Sequence, residues 1–308
     1  MKKLRVAFVQ DLNIWTHAGG AERTDQGIVK EGLRRGHDID LITPENFPPI
    51  EAISCDLVVF SNVHMLMYMD NGRRLLQLAE KHPYVMWHHD YWCRYRLYYP
   101  MLPKCKDCTY IGPWRKLYSE SVLNFFMSLL HREGYLYAMP EIANHPYALV
   151  PSAINPSDYQ PIKQVNPKPN TVVGVNVLLD FKGKANVIKY AQEHPELSFT
   201  FAGGLEGEAT LPRNCKYIGP KSQQELVQLY AESECLIHLP SQPSPADRVP
   251  VEFLIANPNG KLVTNRNVGI LSYPNVIQDG KVNREELIEL VTNSPKVFWG
   301  KIEDVIGE

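Results

Sequence analysis

Short apolar runs punctuate the first half of the chain: Val6-Ala-Phe-Val9, Ile39-Asp-Leu-Ile42, Asp56-Leu-Val-Val-Phe60 and Tyr84-Val-Met-Trp87. They show little polar alternation, which is the pattern of strands buried on both faces. Between them lie two helix-length segments, about 20–35 and 64–81, the first closing at Gly36 as a left-handed cap would. Strands that alternate with helices predict a parallel, doubly wound α/β sheet with right-handed crossovers. Residues 91–118 interrupt this rhythm with a segment rich in Tyr, Cys, Lys and Arg. A helix is predicted next over about 115–133, because Leu123, Phe125, Phe126, Met127, Leu129 and Leu130 read as its apolar face, and a strand over 147–150.

The segment from Pro151 to Pro169 concentrates proline and polar residues, as domain boundaries do. After it the alternation starts again. Strands are predicted at 171–175, 198–201, 216–218, 235–237 and 261–263, and Ser222 with Glu225 forms a capping box that starts a helix. This reads as two domains, 1–155 with its insertion at about 91–118 and 156–308. A last helix at about 293–306 is placed to cross back onto the first.

A length of 308 residues suits two domains, and 44% apolar with 21% charged residues indicates a globular chain. The formal net charge of −2 gives no global attraction to nucleic acid or anionic lipid, so any such contact must be local. No apolar run approaches the roughly 20 residues that span a bilayer. Peripheral membrane contact stays open. The first apolar stretch ends at Gln10 and Asp11, so it reads as a buried strand and not as a signal peptide. Six cysteines without a disulfide-type framework, together with that reading, favour a cytoplasmic setting.

Three blocks of residues carry a resemblance. Near the start, Ala18-Gly19-Gly20-Ala21-Glu22-Arg23 follows the first strand and Arg35-Gly36-His37 precedes the second. At the fourth strand end stands Trp87-His88-His89-Asp90. In the last third come Tyr217-Ile-Gly219, the capped segment 222–231, Leu236-Ile-His-Leu-Pro240 and Val249-Pro-Val-Glu252-Phe-Leu-Ile-Ala256. In order and spacing these blocks resemble GT-B glycosyltransferases, and within them the retaining branch called family 4. The resemblance implies two Rossmann-like domains facing a cleft, with a nucleotide-diphosphate sugar held mainly by the second and the acceptor bound against the first.

The residues in those blocks have chemistry of their own. Gly19 and Gly20 sit between strand and helix, where backbone N–H groups at a helix start favour an anion. They do not form the G-x-G-x-x-G dinucleotide pattern. His89 closes a strand at the carboxyl edge, where open α/β sheets place ligands, and Asp90 is positioned to fix its tautomer, while His88 is free to pack inward. Lys182, in Asp180-Phe-Lys-Gly183, matches the family's lysine that neutralises the leaving diphosphate, without an obligatory metal. Glu252 matches the glutamate that accepts ribose hydroxyls.

Two positions depart from the family pattern. Asn176 stands where an arginine is usual, with Lys184 as a substitute phosphate contact, and Ser244 stands where the first of two glutamates is usual. Asp247 and Arg248 are then candidates for the sugar contacts. Gly203 and Gly204 resemble the family's glycine turn near the nucleotide.

The insertion adds two open questions. Cys93, Cys105 and Cys108 leave zinc, a disulfide or free thiols as alternatives. Between 91 and 118, Arg94, Arg96, Lys104, Lys106, Arg115 and Lys116 face only Asp107, with tyrosines and Trp114 among them. Arg94, Arg96, Trp114 and Asp90 are therefore acceptor-side candidates. That basic surface is suited to a polyanionic acceptor such as a lipid phosphate, a phosphorylated polymer or nucleic acid, or it is simply a solvated face. The reading that unites the blocks is a glycosyltransferase. A GT-B nucleotide-sugar epimerase and a non-catalytic nucleotide-sugar or nucleic-acid binding protein are the alternatives, the latter motivated by Ser244 and Asn176.

Overall fold

The computed structural model describes residues 2–17, 19–91, 111–162, 165–208 and 210–307. The chain divides into two compact units, Met1–Ala153 with Asn293–Glu308, and Ile154–Thr292. Each is organised around its own parallel sheet.

The first unit contains β1 (Arg5–Gln10), β2 (Asp38–Ile42), β3 (Leu57–Ser61), β4 (Tyr84–Trp87), β5 (Leu123–Phe126) and β6 (Tyr147–Leu149), in spatial order 2-1-3-4-5-6. Every pairing is parallel. β3, β4 and β5 are buried along their whole length, which explains their unbroken apolar sequence. β2, at the edge, keeps Asp38 and Asp40 toward solvent. Helix α1 (Gly20–Arg34) ends as expected: Gly36 adopts φ +88°, a conformation that costs glycine little. The chain leaves β1 toward β2 in one direction and continues from β3 in the other. The carboxyl ends of β1 and β3 therefore flank a topological switch point.

Two expected helices are corrected. Segment 64–81 forms α2 (His64–Met69) and α3 (Arg73–Lys81), separated at Gly72 with φ +71°. The segment 115–133 covers the end of α4 (Ile111–Glu120), then β5, then the start of α5 (Leu129–Ala138). A four-residue run with three apolar positions is too short for periodicity to separate strand from helix. Polar residues within the run decide the outcome. Asn124 donates back to Tyr118 O in the last turn of α4, and the Ser128 hydroxyl accepts the His131 N–H to start α5.

The final helix α9 (Arg284–Gly307) starts nine residues before the expected 293 and carries Pro295 within it. Its Asn293–Glu308 portion belongs to the first unit, where it packs against α1. Trp299 Nε1–H donates to Ile28 O at 2.7 Å, and Arg35 and His37 both reach Glu303, at 2.6 and 3.2 Å. His37 Nδ1 also accepts the Leu4 N–H. The Arg35-Gly36-His37 segment is thus a clasp that ties β1, β2 and α1 to the chain's last turns.

The second unit has β7 (Lys168–Val175), β8 (Ser198–Ala202), β9 (Cys215–Tyr217), β10 (Ser233–His238) and β11 (Lys261–Thr264) in order 11-10-7-8-9, again all parallel. Its helices include α6 (Lys184–Glu193), α7 (Gln223–Glu232) and α8 (Arg248–Ala256). The Ser222–Glu225 capping box is formed in both directions. β7 and β10 flank this unit's switch point. Among the described residues no helix is long and apolar enough to cross a membrane.

Candidate functional site

At the carboxyl end of β7 the backbone turns through Asn176 in the left-handed region, with φ 56°. Its side-chain oxygen accepts the Gly204 N–H at 2.9 Å, and Gly203, at φ +95°, presses so closely on that oxygen that a Cβ would overlap it. Tyr217 O–H closes the turn by donating to Gly203 O. Asn176, Gly203 and Gly204 therefore form one rigid turn, in which the asparagine is committed to the backbone.

The chain next makes a 3-10 turn over Asp180–Lys182 and enters α6 through Gly183, whose φ of +90° and closeness to Leu239 O both demand glycine. Lys184 is occupied by Glu206 O at 2.7 Å and Asp180 at 2.9 Å. Lys182 differs: its side chain is 29% exposed and its Nζ lies 3.4 Å from Asp247 Oδ1.

Asp247 precedes the first turn of α8, with its side chain only 2% exposed. Its carboxylate also has His238 Nε2 at 2.9 Å and accepts the Ser244 hydroxyl. Burial alone would raise its pKa, but His238, Lys182 and Ser244 outweigh that and hold the carboxyl below the usual carboxylate range. Ser244 is itself buried and accepts the Gly269 N–H at 3.2 Å. So neither Ser244 nor Asp247 projects outward: Ser244 ties its own loop to Asn267 O and Gly269 N–H, and Asp247 reaches the Lys182 ammonium. One turn along α8, Glu252 Oε1 accepts from Tyr159 O–H at 2.8 Å and from Arg248 Nε at 3.2 Å. Burial and the Glu252 carboxylate push the hydroxyls of Tyr159 and Tyr230 up in pKa, keeping both protonated.

In the first unit the cluster is built on Asp25 of α1. Ser61 Oγ–H, Trp87 Nε1–H and His89 Nε2 reach its two oxygens at 2.7, 2.9 and 2.8 Å. His89 N–H is also held by Asn62 Oδ1. The expectation that Asp90 fixes the His89 tautomer is corrected: Asp25 does, while Asp90 offers its backbone carbonyl to His88, His131 and Tyr135. His88 packs inward against Trp114 and His64, and burial drives its pKa well down.

Trp114 lies wholly within the hydrophobic core and offers no surface to an acceptor. At Gly19 and Gly20 the Glu22 side chain folds back so that its carboxylate contacts the Gly19 position, and a phosphate there would meet this negative charge. Arg94, Arg96, Cys93, Cys105 and Cys108 lie outside the described residues. Among the described residues no group of three or more His, Cys, Asp and Glu side chains is arranged to hold a metal.

Sequence reasoning missed Asp25, Ser61, His238 and Tyr159. Asp25 had a readable signal: it shares the buried stripe of α1 with Ile28, Val29 and Gly32, so a carboxylate stands at core spacing. His238 ends a strand beside the switch point, a position that fold topology alone marks.

No family model and no curated protein matches the sequence. Solved structures do. Sucrose-phosphate synthase from Thermosynechococcus elongatus aligns over 98% of this chain and 98% of its own, at 13% identity and TM-score 0.70. Anabaena HepE in complex with UDP and glucose aligns over 99% and 96%, at 15% identity and TM-score 0.58. An alpha-glucosyltransferase in complex with UDP and DNA aligns over 100% of both chains, at 10% identity and TM-score 0.58. Taken with the two switch-point sheets, these alignments establish that the chain has the α/β GT-B fold of the glycosyltransferases.

Proposed function

We propose that this protein is a glycosyltransferase that draws a sugar from a nucleotide-diphosphate donor held by its second unit. The observation that carries the reading is the Lys182–Asp247 pair at the carboxyl edge of that unit's sheet, beside the switch point of β7 and β10. In this reading Lys182 neutralises charge developing on the leaving diphosphate, assisted by the N-terminal ends of α6 and α8. Glu252, oriented by Tyr159 and Arg248, accepts ribose hydroxyls. His89, held by Asp25, serves the sugar or acceptor hydroxyl in the first unit. Transfer with retention, without an obligatory metal, belongs to the same proposal. So does a cytoplasmic setting, with which the free thiols of Cys55, Cys215 and Cys235 agree.

Solved neighbours in complex with UDP and with UDP-glucose support uridine nucleotides as the first donors to try. The experiment is a thermal-shift panel of UDP-, ADP- and GDP-sugars followed by an assay for nucleotide release. A donor that both stabilises the protein and is consumed supports the proposal. Because Ser244 and Asn176 replace expected polar contacts, a purely binding protein is the rival, and it would give the shift without release. No shift with any nucleotide refutes both.

A further inference from the structure

We infer that the first unit accepts a hydroxyl-rich, non-anionic small molecule, plain or amine-bearing, at an acidic cavity on the carboxyl edge of its sheet. This rests on the glycosyltransferase reading above and names an acceptor class for it. The cavity, about 160 Å³, is lined among others by Gln10, Asp11, Glu22, Asp25, His64 and Asp90. It opens where β1 and β3 diverge, beside the end of β4.

The four carboxylates have different duties. Asp25 is engaged by Ser61, Trp87 and His89. Asp11 accepts the Met65 and Leu66 N–H groups at the start of α2, and burial raises its pKa to about 6. Glu22 and Asp90 remain, and no described side chain pairs with either carboxylate. A separate observation comes from Gln10, which lines the same cavity. It is only 2% exposed, yet its amide nitrogen has no hydrogen-bond partner among the described residues. A buried donor without a partner is costly unless a ligand oxygen supplies the acceptor.

The cavity is therefore lined by two carboxylates without a described partner and by a buried glutamine whose amide donor is unmet. Carboxylates accept from hydroxyl or ammonium groups, and Gln10 donates to a hydroxyl oxygen. No Lys or Arg is among the described lining residues, so a phosphate there would meet like charge without compensation. The basic stretch suggested by sequence does not alter this where it is described, since Arg115 pairs with Glu141 and Lys116 with Glu120.

The test is saturation-transfer NMR titration of the full chain with glucose, glucosamine and glucose 6-phosphate. It is repeated on the Glu22→Gln/Asp90→Asn double variant, whose altered carboxylates form no ion pair among the described residues. Glucosamine and glucose are expected to bind saturably, with glucose 6-phosphate at least tenfold weaker. The double variant should lose at least tenfold in glucosamine affinity. Glucose 6-phosphate binding as tightly as glucosamine overturns the inference, as does unchanged glucosamine binding by the variant or no saturable binding of either neutral or amino sugar. UDP titrated into the same samples separates the two ideas. UDP binding without the sugar preference sinks only the acceptor class, while the preference without UDP binding sinks the donor reading.

Discussion

Replacing Asp247 with asparagine removes one negative charge at nearly constant shape, and the structure sets the cost. The carboxylate is 2% exposed and contacts His238, Lys182 and the Ser244 hydroxyl. Hydrogen bonds to charged groups contribute about 1.5–3 kcal/mol each against about 1 for neutral ones. Lys182 is part-exposed and 3.4 Å away, so water screens its share. The expected loss is about 2–3 kcal/mol of stability at neutral pH, smaller than full removal of a buried partner. The pH dependence has a definite sign. The folded pKa is depressed, so this stabilisation is fully present above the unfolded carboxylate value and is lost as pH falls toward the folded one. Each pH unit of depression is equivalent to about 1.4 kcal/mol. Urea unfolding of wild type and Asp247→Asn should therefore show curves well separated at pH 7 that converge below about pH 4. Nucleotide release should fall at least about tenfold because Lys182 loses its fixed position. Equal stability at pH 7, or a gap that stays constant through the acid range, refutes the reasoning.

Substitutions at four other positions carry definite expectations. Lys182→Ala should lower nucleotide release at least about tenfold, or roughly 1.4 kcal/mol of transition-state stabilisation. It should barely shift the melting temperature, because the side chain is part-exposed and water screens its pairing with Asp247. Glu252→Gln should raise the donor KM more than it lowers kcat, whereas Glu252→Ala should unfold about 3 kcal/mol more easily by leaving Arg248 buried without its carboxylate; donor titration and urea curves check both. Asp25→Ala strands the donors of Ser61, Trp87 and His89 and should cost about 3 kcal/mol or more in urea unfolding. Trp299→Ala should cost about 3–5 kcal/mol by opening the clasp on α1, read as a fall in melting temperature.

The sheet architecture was legible because apolar runs such as 57–60 and 84–87 recur in regular alternation with helix-length segments, and only a parallel sheet buries such runs on both faces. Gly36 and the Ser222–Glu225 box marked their helix ends correctly, since each depends on local backbone geometry alone. β5 was not legible. Its run continues into the apolar start of α5, and only the bonds made by Asn124 and Ser128 divide the two. Site residues followed the same rule. Lys182 and Glu252 could be named from motif position. Their partners could not, because Asp247 with His238 and Glu252 with Tyr159 are brought together by the fold and not by motif spacing. The Asp90 assignment failed for that reason too, since the partner of His89 lies 64 residues upstream on α1.

Both sheets solve one physical problem in the same way. In the proposed reading Lys182 and His89 act on a ligand, which requires a fixed position, and packing alone rarely fixes a lysine or histidine. In each unit a buried aspartate beside the switch point supplies the restraint. Asp25 orients His89, and Asp247 orients Lys182. Burying such a carboxylate is unfavourable unless several donors converge on it. That requirement explains the surrounding residues: Ser61 and Trp87 in the first unit, and Ser244 with the nearby His238 imidazole in the second. Ser244 is then intelligible as more than a missing glutamate. A glutamate at that buried position would place a second carboxylate against Asp247 and compete for Lys182, whereas serine donates to Asp247 and leaves the lysine directed by one anion. Ser244 and Asp247 are thus hydrogen-bonded partners three residues apart in one loop, and a change at either is felt at the other.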